Sequence, residues 1–187
     1  EYVPEYPGFE RLFRVGLESA PGSAHVKWPD RLDQLPGDGD VQRRLYLAMD
    51  AALSRLDAVR NEFDVVLVHF PDSWDSATRG KYFDAHDVLK ALGAKYNIPT
   101  QVLNDRVFTF SYKASLAWRL STALYVKAAG TPWKLAPLKG VPADTAYIGL
   151  AYALRGDQQD AHYVTCCSQV FDMDGGGMQF VAFEARD

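Results

Sequence analysis

Residues 63–71, FDVVLVHFP, decide the fold class because they form a continuous apolar run rich in β-branched side chains. Such a run is typical of a strand that is buried on both faces of a parallel sheet. Next, KYFDAHDVLKALGAKYN at 81–97 predicts a helix, and IPTQVLN at 98–104 predicts a short strand. KASLAWRLSTALYVKAAG at 113–130 predicts a second helix. This alternation favours an α/β fold with a Rossmann-like, mostly parallel sheet and flanking helices.

The segment before this strand is predicted to be an amphipathic helix, VQRRLYLAMDAALSRLDAVRNE at 41–62, with Asp40 as its N-cap. Its apolar positions recur at helical spacing: Leu45, Met49, Leu53 and Leu56. Residues 1–40 are interrupted by Pro and Gly and predict an irregular lead-in. The stretches DSWDSATRGK at 72–81 and NDRVFTFSY at 104–112 are predicted to be loops.

The C-terminal third has a strand pattern. TPWKLAPL at 131–138 predicts a short strand and its exit. Three further runs, TAYIGLAYAL, HYVTCCSQVF and MQFVAFEA, are separated by turn residues and predict a β-meander. We therefore expect three parts: a lead-in at 1–40, a Rossmann-like domain at 41–139 and the start of another domain at 140–187. Because the chain begins without Met and ends after QFVAFEARD, we expect it to be part of a longer protein.

The composition is that of a globular protein, with 48% hydrophobic residues and no apolar run long enough to span a membrane. Its two cysteines, Cys166 and Cys167, are adjacent, a spacing that suits neither a structural disulfide nor a metal site, so we expect a cytoplasmic protein. The net charge is −4, but residues 86–140 carry eight Lys and Arg and only two Asp. This local excess suits a short anionic ligand, although a solvated helical surface would give the same pattern.

Four polar residues are spaced so that they could converge on such an anion. His86 and Lys90 lie four residues apart in the first predicted helix and so share one face. Gln101 lies in the next predicted strand, near the end where ligands bind in open α/β sheets, and Lys127 closes the second helix. Two ammonium groups, an amide and an imidazole predict a site for a terminal phosphate beside a stacked base.

This ordered set, H-x3-K, then IPTQ, then VK just before a Gly, resembles the MID domain of Argonaute proteins, over about residues 64–135. TAYIGLAY resembles the first strand of the adjoining RNase H-like PIWI domain. The resemblance implies that Lys90, Gln101 and Lys127 bind the 5′ phosphate of a guide strand and that His86 stacks on its first base. It also implies that the loop with Arg106, Phe108 and Tyr112 contacts the first nucleotide.

The resemblance also bears on catalysis and cofactors. Members that cleave their target place an Asp at the position of Ala151, and two-metal cleavage needs several carboxylates. We therefore expect a catalytically inactive protein that resembles the short prokaryotic Argonautes. The family implies a Mg²⁺ that bridges the guide phosphate and is often held in part by the C-terminal carboxylate of the protein. Asp187 does not look like a natural C-terminus, so it is a poor candidate for this ligand. Beyond that Mg²⁺ we expect no metal site and no other cofactor.

The implied partners are a small guide RNA or DNA, a complementary strand of an invading nucleic acid, and an effector protein or domain of sirtuin or TIR type. A different class stays open: a Rossmann-like domain that binds a small anionic metabolite or nucleotide, although neither G-x-G-x-x-G nor a Walker A sequence is present. An active nuclease would need carboxylates that we do not find. The acidic N-terminal third could also serve as a protein-binding scaffold.

Overall fold

The computed structural model describes residues 5–136, 139–142, 144–155 and 162–184, with only the backbone described at 153–155, 162–165 and 184. Within it the chain divides into two units, Glu1–Gly130 and Thr131–Asp187. In the described ranges no helix is long and apolar enough to cross a membrane. The predicted division at residues 40 and 139 stays a prediction.

The first unit is a mixed α/β structure. Its helices are α1 (Phe9–Phe13), α2 (Val41–Asp57), α3 (Asp75–Thr78), α4 (Ala85–Lys95), α5 (Arg106–Thr109) and α6 (Lys113–Lys127). Its strands are β1 (Val66–Phe70), β2 (Arg79–Gly80), β3 (Phe83–Asp84) and β4 (Thr100–Asn104). β1 and β4 pair in parallel, and β2 and β3 form a small antiparallel hairpin. The predicted α/β class, with a small parallel sheet and flanking helices, is confirmed.

Helix α2 supplies much of the core, as its periodicity predicts. The four apolar positions named above are all buried there, and they pack with β1 and α4 in one cluster. The side chain of Asp40 accepts a hydrogen bond from the amide of Arg43 at 2.8 Å, so the predicted N-cap is confirmed. The helix ends at Asp57, and a single 3₁₀ turn, Arg60–Glu62, completes the stretch predicted as helical.

Helix α4 packs closely on the strand that follows it. Leu89 and Leu92 are buried, and a Cβ atom at Gly93 would lie only 2.8 Å from the carbonyl oxygen of Ile98. This contact needs a glycine because a side chain there would overlap the backbone that leads into β4. On the other side, Lys95 and Tyr96 each donate a hydrogen bond to Asp50 of α2, at 2.8 and 2.9 Å. Helix α4 is therefore fixed both to the sheet and to α2.

Several local predictions differ from the structure. The predicted loops at 72–81 and 104–112 contain the short helices α3 and α5, and the first also contains β2. Residues 131–136 form no strand, and 137–138 lie outside the described residues. The lead-in is not wholly irregular, since it holds α1 and two 3₁₀ turns. Elements of two to five residues are too short to show a hydrophobic period, which explains why the sequence does not reveal them.

The second unit is a three-stranded antiparallel sheet of β5 (Tyr147–Arg155), β6 (His162–Phe171) and β7 (Gly177–Glu184), in the order β5-β6-β7. The predicted β-meander is confirmed, whereas its RNase H-like character stays a prediction. Cys166 and Cys167 are free and, as neighbours in β6, they point to opposite faces of the sheet. Cys166 pairs with Tyr152, and Cys167 pairs with Ala151.

Candidate anion-binding site

The first two predicted site residues lie on α4. Asp84 caps the helix by accepting hydrogen bonds from the amides of His86 and Asp87, at 2.8 and 3.4 Å. Below this cap, His86 and Lys90 lie one turn apart on the same exposed face. The Nδ1 atom of His86 lies 3.5 Å from a carboxylate oxygen of Asp87, so the imidazole is held near the helix N-terminus.

Lys127, the last residue of α6, reaches back to the sheet. Its Nζ atom donates hydrogen bonds to the carbonyl oxygen of Thr100 and to the side-chain oxygen of Gln101, the latter at 2.8 Å. The end of α6 therefore meets the start of β4. An ammonium group has three donors, so one donor of Lys127 remains for a ligand.

The two lysines Lys90 and Lys127 interact electrostatically. Burial, and then the positive charge of Lys90, lower the pKa of Lys127 below its ordinary value of 10.5. Among the described residues no carboxylate forms an ion pair with Lys90 or Lys127. The free protein therefore contains two cations that repel each other and that an anion would stabilise.

Gln101 joins this group but is not placed where the sequence suggests. It is the second residue of β4, so it lies in the first half of the strand rather than at its carboxyl end. Its amide nitrogen donates to the carbonyl oxygen of Val102 at 3.0 Å, while its oxygen accepts from Lys127. One amide hydrogen remains available to a ligand. Lys90, Gln101 and Lys127, hereafter the cationic cluster, are thus brought together by α4, β4 and α6.

The other predicted residues lie toward the opposite end of α6. Arg106 and Phe108 belong to α5, which follows the carboxyl end of β4, and Tyr112 precedes the first turn of α6. Since a helix rises about 1.5 Å per residue, Tyr112 lies roughly 22 Å along the axis from Lys127. All three side chains are exposed. The structure therefore does not bring them into the cationic cluster, and their contact with a first nucleotide stays a prediction.

Sequence reasoning missed a histidine–carboxylate pair at the carboxyl edge of the parallel strands. The Nε2 atom of His69 lies 2.8 Å from Asp105, whose second oxygen accepts from the amide of Asp72 at 2.9 Å. These two contacts, the amide of Asp72 first and His69 second, lower the pKa of Asp105. A signal was present, because each residue lies at the end of a predicted strand and parallel strands end at the same edge.

The residues of the cationic cluster do not fit a magnesium ion by themselves. Mg²⁺ prefers oxygen ligands, and the only side-chain oxygen in this cluster, on Gln101, already accepts from Lys127. Asp187, the other side chain considered for the metal, lies outside the described residues. Asp84, His86 and Asp87 place their ligand atoms within 4.8 Å of one another, but all three are exposed and Asp84 is engaged in capping. No step of the proposed function is therefore assigned to a metal.

This geometry places the ammonium group of Lys127 beside Gln101, and within electrostatic reach of Lys90, in an α/β unit. No protein-family model and no characterised protein matches the chain. Two solved Argonaute structures are similar to it. Aa-Ago with externally bound siRNA has a TM-score of 0.42 and 19% identity, over 73% of this chain and 20% of that one. The Argonaute of Aquifex aeolicus has a TM-score of 0.41 and 18% identity, over 80% of this chain and 26% of that one.

The chain thus spans about a fifth to a quarter of the length of these two Argonautes. TM-scores of 0.42 and 0.41 are too low to decide the family of the chain or its ligand. The function proposed below therefore rests on the geometry of the cationic cluster and on the sequence resemblance.

Proposed function

We propose that the chain binds the 5′-phosphorylated end of a small guide RNA or DNA in the manner of an Argonaute MID domain. The observation that carries the proposal is the position of Lys127, held between Thr100 and Gln101 and close enough to Lys90 for its pKa to fall. The resemblance of the sequence to the MID domain supplies the class of ligand.

A terminal phosphate fits the cationic cluster for physical reasons. A phosphate monoester carries close to two negative charges and offers three acceptor oxygens. It would neutralise the repulsion between Lys90 and Lys127 and accept their remaining N–H groups. Each charge-assisted hydrogen bond contributes about 1.5–3 kcal/mol when it is shielded from water. Because Lys90 is exposed and Lys127 is only half-buried, screening by water reduces the contribution of each of these hydrogen bonds. We therefore expect a preference for 5′ phosphate over 5′ hydroxyl of about a hundredfold.

His86 is proposed to stack on the first base. It lies one helical turn from Lys90, and about half of its side chain is exposed. Stacking of a base on an aromatic side chain contributes about 1–3 kcal/mol, so His86 would add to affinity without reading the sequence strongly. Asp87, which lies beside the imidazole, would hold the ring in place through the negative charge of its carboxylate.

We propose that this protein recognises a target through its guide without cutting it. Position 151, in β5, carries an alanine, whereas the resemblance to PIWI domains implies an Asp there in members that cleave. Guide-directed recognition of an invading nucleic acid in the cytoplasm, as part of prokaryotic defence, then requires a separate effector. We propose an effector of sirtuin or TIR type, because the sequence resembles the short Argonautes that associate with them.

The test is equilibrium binding of one labelled single strand that carries either a 5′ phosphate or a 5′ hydroxyl. We expect the unchanged protein to prefer the phosphate by about a hundredfold and Lys90→Ala and Lys127→Ala each to lose most of that preference. Lys27→Ala is the matched control, since Lys27 is an exposed lysine outside the cationic cluster. Equal, salt-sensitive binding of both strands would contradict the proposal.

The same cluster could serve a small anionic metabolite or mononucleotide, the alternative that the fold leaves open. The strand assay separates the two functions when it is repeated with a free nucleoside 5′-monophosphate. A guide-binding protein binds the strand more tightly than the mononucleotide because further nucleotides add contacts. Equal affinity for both ligands would favour the metabolite-binding function.

A further inference from the structure

One face of the parallel strand β1 is only partly covered. On the face toward α2, Val68 and Phe70 are each only 6% exposed. Leu67 lies between them and points to the opposite face, where 49% of it is exposed. Helix α6 lies on this second face, because Gln101, the partner of Leu67 in β4, contacts its last residue. Parallel sheets are normally covered on both faces, so this apolar surface lacks part of its cover.

A groove of about 660 Å³ lies where this face of β1 meets α6 and the lead-in. Its apolar lining includes Leu67 of β1, Leu124 and Tyr125 of α6, and Val15 and Leu17 of the lead-in. The last two are 47% and 60% exposed. Contiguous exposed apolar surface marks a site of interaction, whereas single exposed apolar side chains are ordinary. We call this feature the lead-in groove.

Aromatic contacts fix the wall of the lead-in groove on the side of α6. The ring of Phe13 stacks on that of Tyr125, with 4.2 Å between centroids and 10° between planes. Gly130 packs against the same ring, since a Cβ atom there would lie 2.5 Å from it. The ring of Phe9 lies 6.3 Å away, edge-on. These contacts hold α1 against α6, so the segment that follows α1 is already placed along the groove.

The lead-in groove carries negative charge. Of the described residues that line it, three are carboxylates, Glu18, Glu62 and Asp64, and none is Lys or Arg. Within the described part of the chain, none of the three forms an ion pair. Arg60 lies two positions before Glu62, but its guanidinium donates to two backbone carbonyl oxygens. The groove therefore combines apolar walls with negative charge that no cation of the protein neutralises.

We propose that the lead-in groove binds a short segment of a protein partner in which apolar side chains lie next to Lys or Arg. The apolar side chains cover Leu17 and Leu67, and the cations pair with Glu18, Glu62 and Asp64. A nucleic-acid strand does not suit the groove, because these carboxylates repel its phosphates. The inference is independent of the proposed function, since none of these residues belongs to the cationic cluster.

The test selects peptides from a random library displayed on phage, using the full chain as bait, and measures their affinity by fluorescence polarisation. We expect enrichment of peptides that combine apolar residues with Lys or Arg. Leu17→Ser combined with Leu67→Ser should weaken their binding by about tenfold or more. Leu47→Ser is the matched control, because Leu47 is exposed on α2 outside the groove. If circular dichroism shows that Leu67→Ser does not fold, Leu17→Ser alone carries the test.

The charges are tested with Glu18→Gln combined with Asp64→Asn. This variant leaves Glu62 in place, whose carboxylate accepts a hydrogen bond from the hydroxyl of Ser23. We expect the affinity for the selected peptides to fall by about two- to fivefold per charge at low salt, and the difference to shrink as salt is added. Asp38→Asn is the control, since Asp38 is an exposed carboxylate outside the groove.

Hydrogen–deuterium exchange locates the bound peptide. We expect slower exchange at 15–21 and 62–67 when it binds, because these two segments line the groove. The inference is overturned if no peptide is enriched, if the selected peptides bind the variants and the unchanged protein equally, or if protection appears elsewhere. Dimerisation of the free protein that Leu17→Ser and Leu67→Ser abolish would also overturn it, in favour of a second copy as the occupant.

This proposal and the proposed function fail separately. The groove variants Leu17→Ser and Glu18→Gln with Asp64→Asn are expected to keep the preference for a 5′ phosphate. Conversely, Lys90→Ala and Lys127→Ala are expected to keep the affinity for the selected peptides.

Discussion

At the scale of single residues, Lys127 couples the stability of the protein to pH. Its pKa in the folded protein lies below the value of 10.5 that it has when unfolded. Between those two pKa values the unfolded chain binds more protons, so the free energy of unfolding rises with pH in this interval. We expect Lys127→Met to flatten the rise, which urea unfolding between about pH 8 and about pH 10.5 would measure.

Lys95 provides the contrasting control for this measurement. Its hydrogen bond to Asp50, and then that to Tyr96, raise the pKa of Lys95, so its contribution is present below 10.5 and is lost at higher pH. Lys95→Met should therefore leave the rise due to Lys127 in place. Lys90→Met should reduce the rise, since it removes one of the two causes of the shift. An unchanged rise in Lys127→Met would show that other groups cause it.

Ala129 is a second residue whose backbone makes a prediction. It follows α6 and has a φ of 64°, a left-handed conformation that glycine adopts more easily than alanine. We expect Ala129→Gly to raise the free energy of unfolding by about 0.5–1 kcal/mol. Ala128→Gly is the control, because φ is −80° there and glycine should only destabilise. The midpoint of urea unfolding would fall in both variants if the left-handed turn did not form.

At the scale of elements, Gly93 sets the distance between α4 and β4. In an exposed helix, Gly→Ala stabilises by about 1 kcal/mol. Here the new Cβ atom would lie 2.8 Å from the carbonyl oxygen of Ile98, so Gly93→Ala should instead destabilise by about 1–3 kcal/mol. To relieve this overlap, α4 would have to move away from β4. That movement would displace Lys90 relative to Lys127 and weaken phosphate binding. A variant of higher stability would contradict the close packing.

The elements that the sequence reveals are those with a long local pattern. Helix α2 was predictable because its four core positions repeat at 3.6 residues, and β1 because its run is continuously apolar. The spacing of Lys90, Gln101 and Lys127 and the family resemblance suggested that they converge, but no local pattern gives their distances, since three elements must pack to bring them together. The contact between His69 and Asp105 joins residues 36 positions apart, so only the predicted parallel pairing of their two strands, and no local pattern, indicates it.

At the scale of the whole molecule, the two units differ in how much of their apolar side-chain surface is buried. Every apolar residue of the main core cluster lies in the unit Glu1–Gly130. The second unit exposes large apolar side chains on its strands: Ile148, Leu150, Tyr152, Met178, Phe180 and Phe183. Exposed apolar surface of this extent marks a site of interaction or aggregation.

We therefore expect residues 1–130 alone to unfold cooperatively and to keep the phosphate preference, whereas residues 131–187 alone should aggregate or remain unfolded. Thermal unfolding by circular dichroism and size-exclusion chromatography of each fragment would measure this. A soluble, cooperatively folding C-terminal fragment would mean that its exposed side chains pack against each other in solution. Loss of phosphate preference in residues 1–130 would mean that the first unit does not contain the whole site.

The adjacent cysteines of β6 place one thiol on each face of that sheet, so each face can be probed by alkylation of its own thiol. Cys166 lies on the face of Tyr152, and the thiol of Cys167 contacts the carbonyl oxygen of Ala151 at 3.6 Å on the other strand. Pulsed alkylation followed by mass spectrometry would read the two thiols separately without any engineered label. A neighbour that shields one thiol and leaves the other reactive would thereby reveal which side of the sheet it covers.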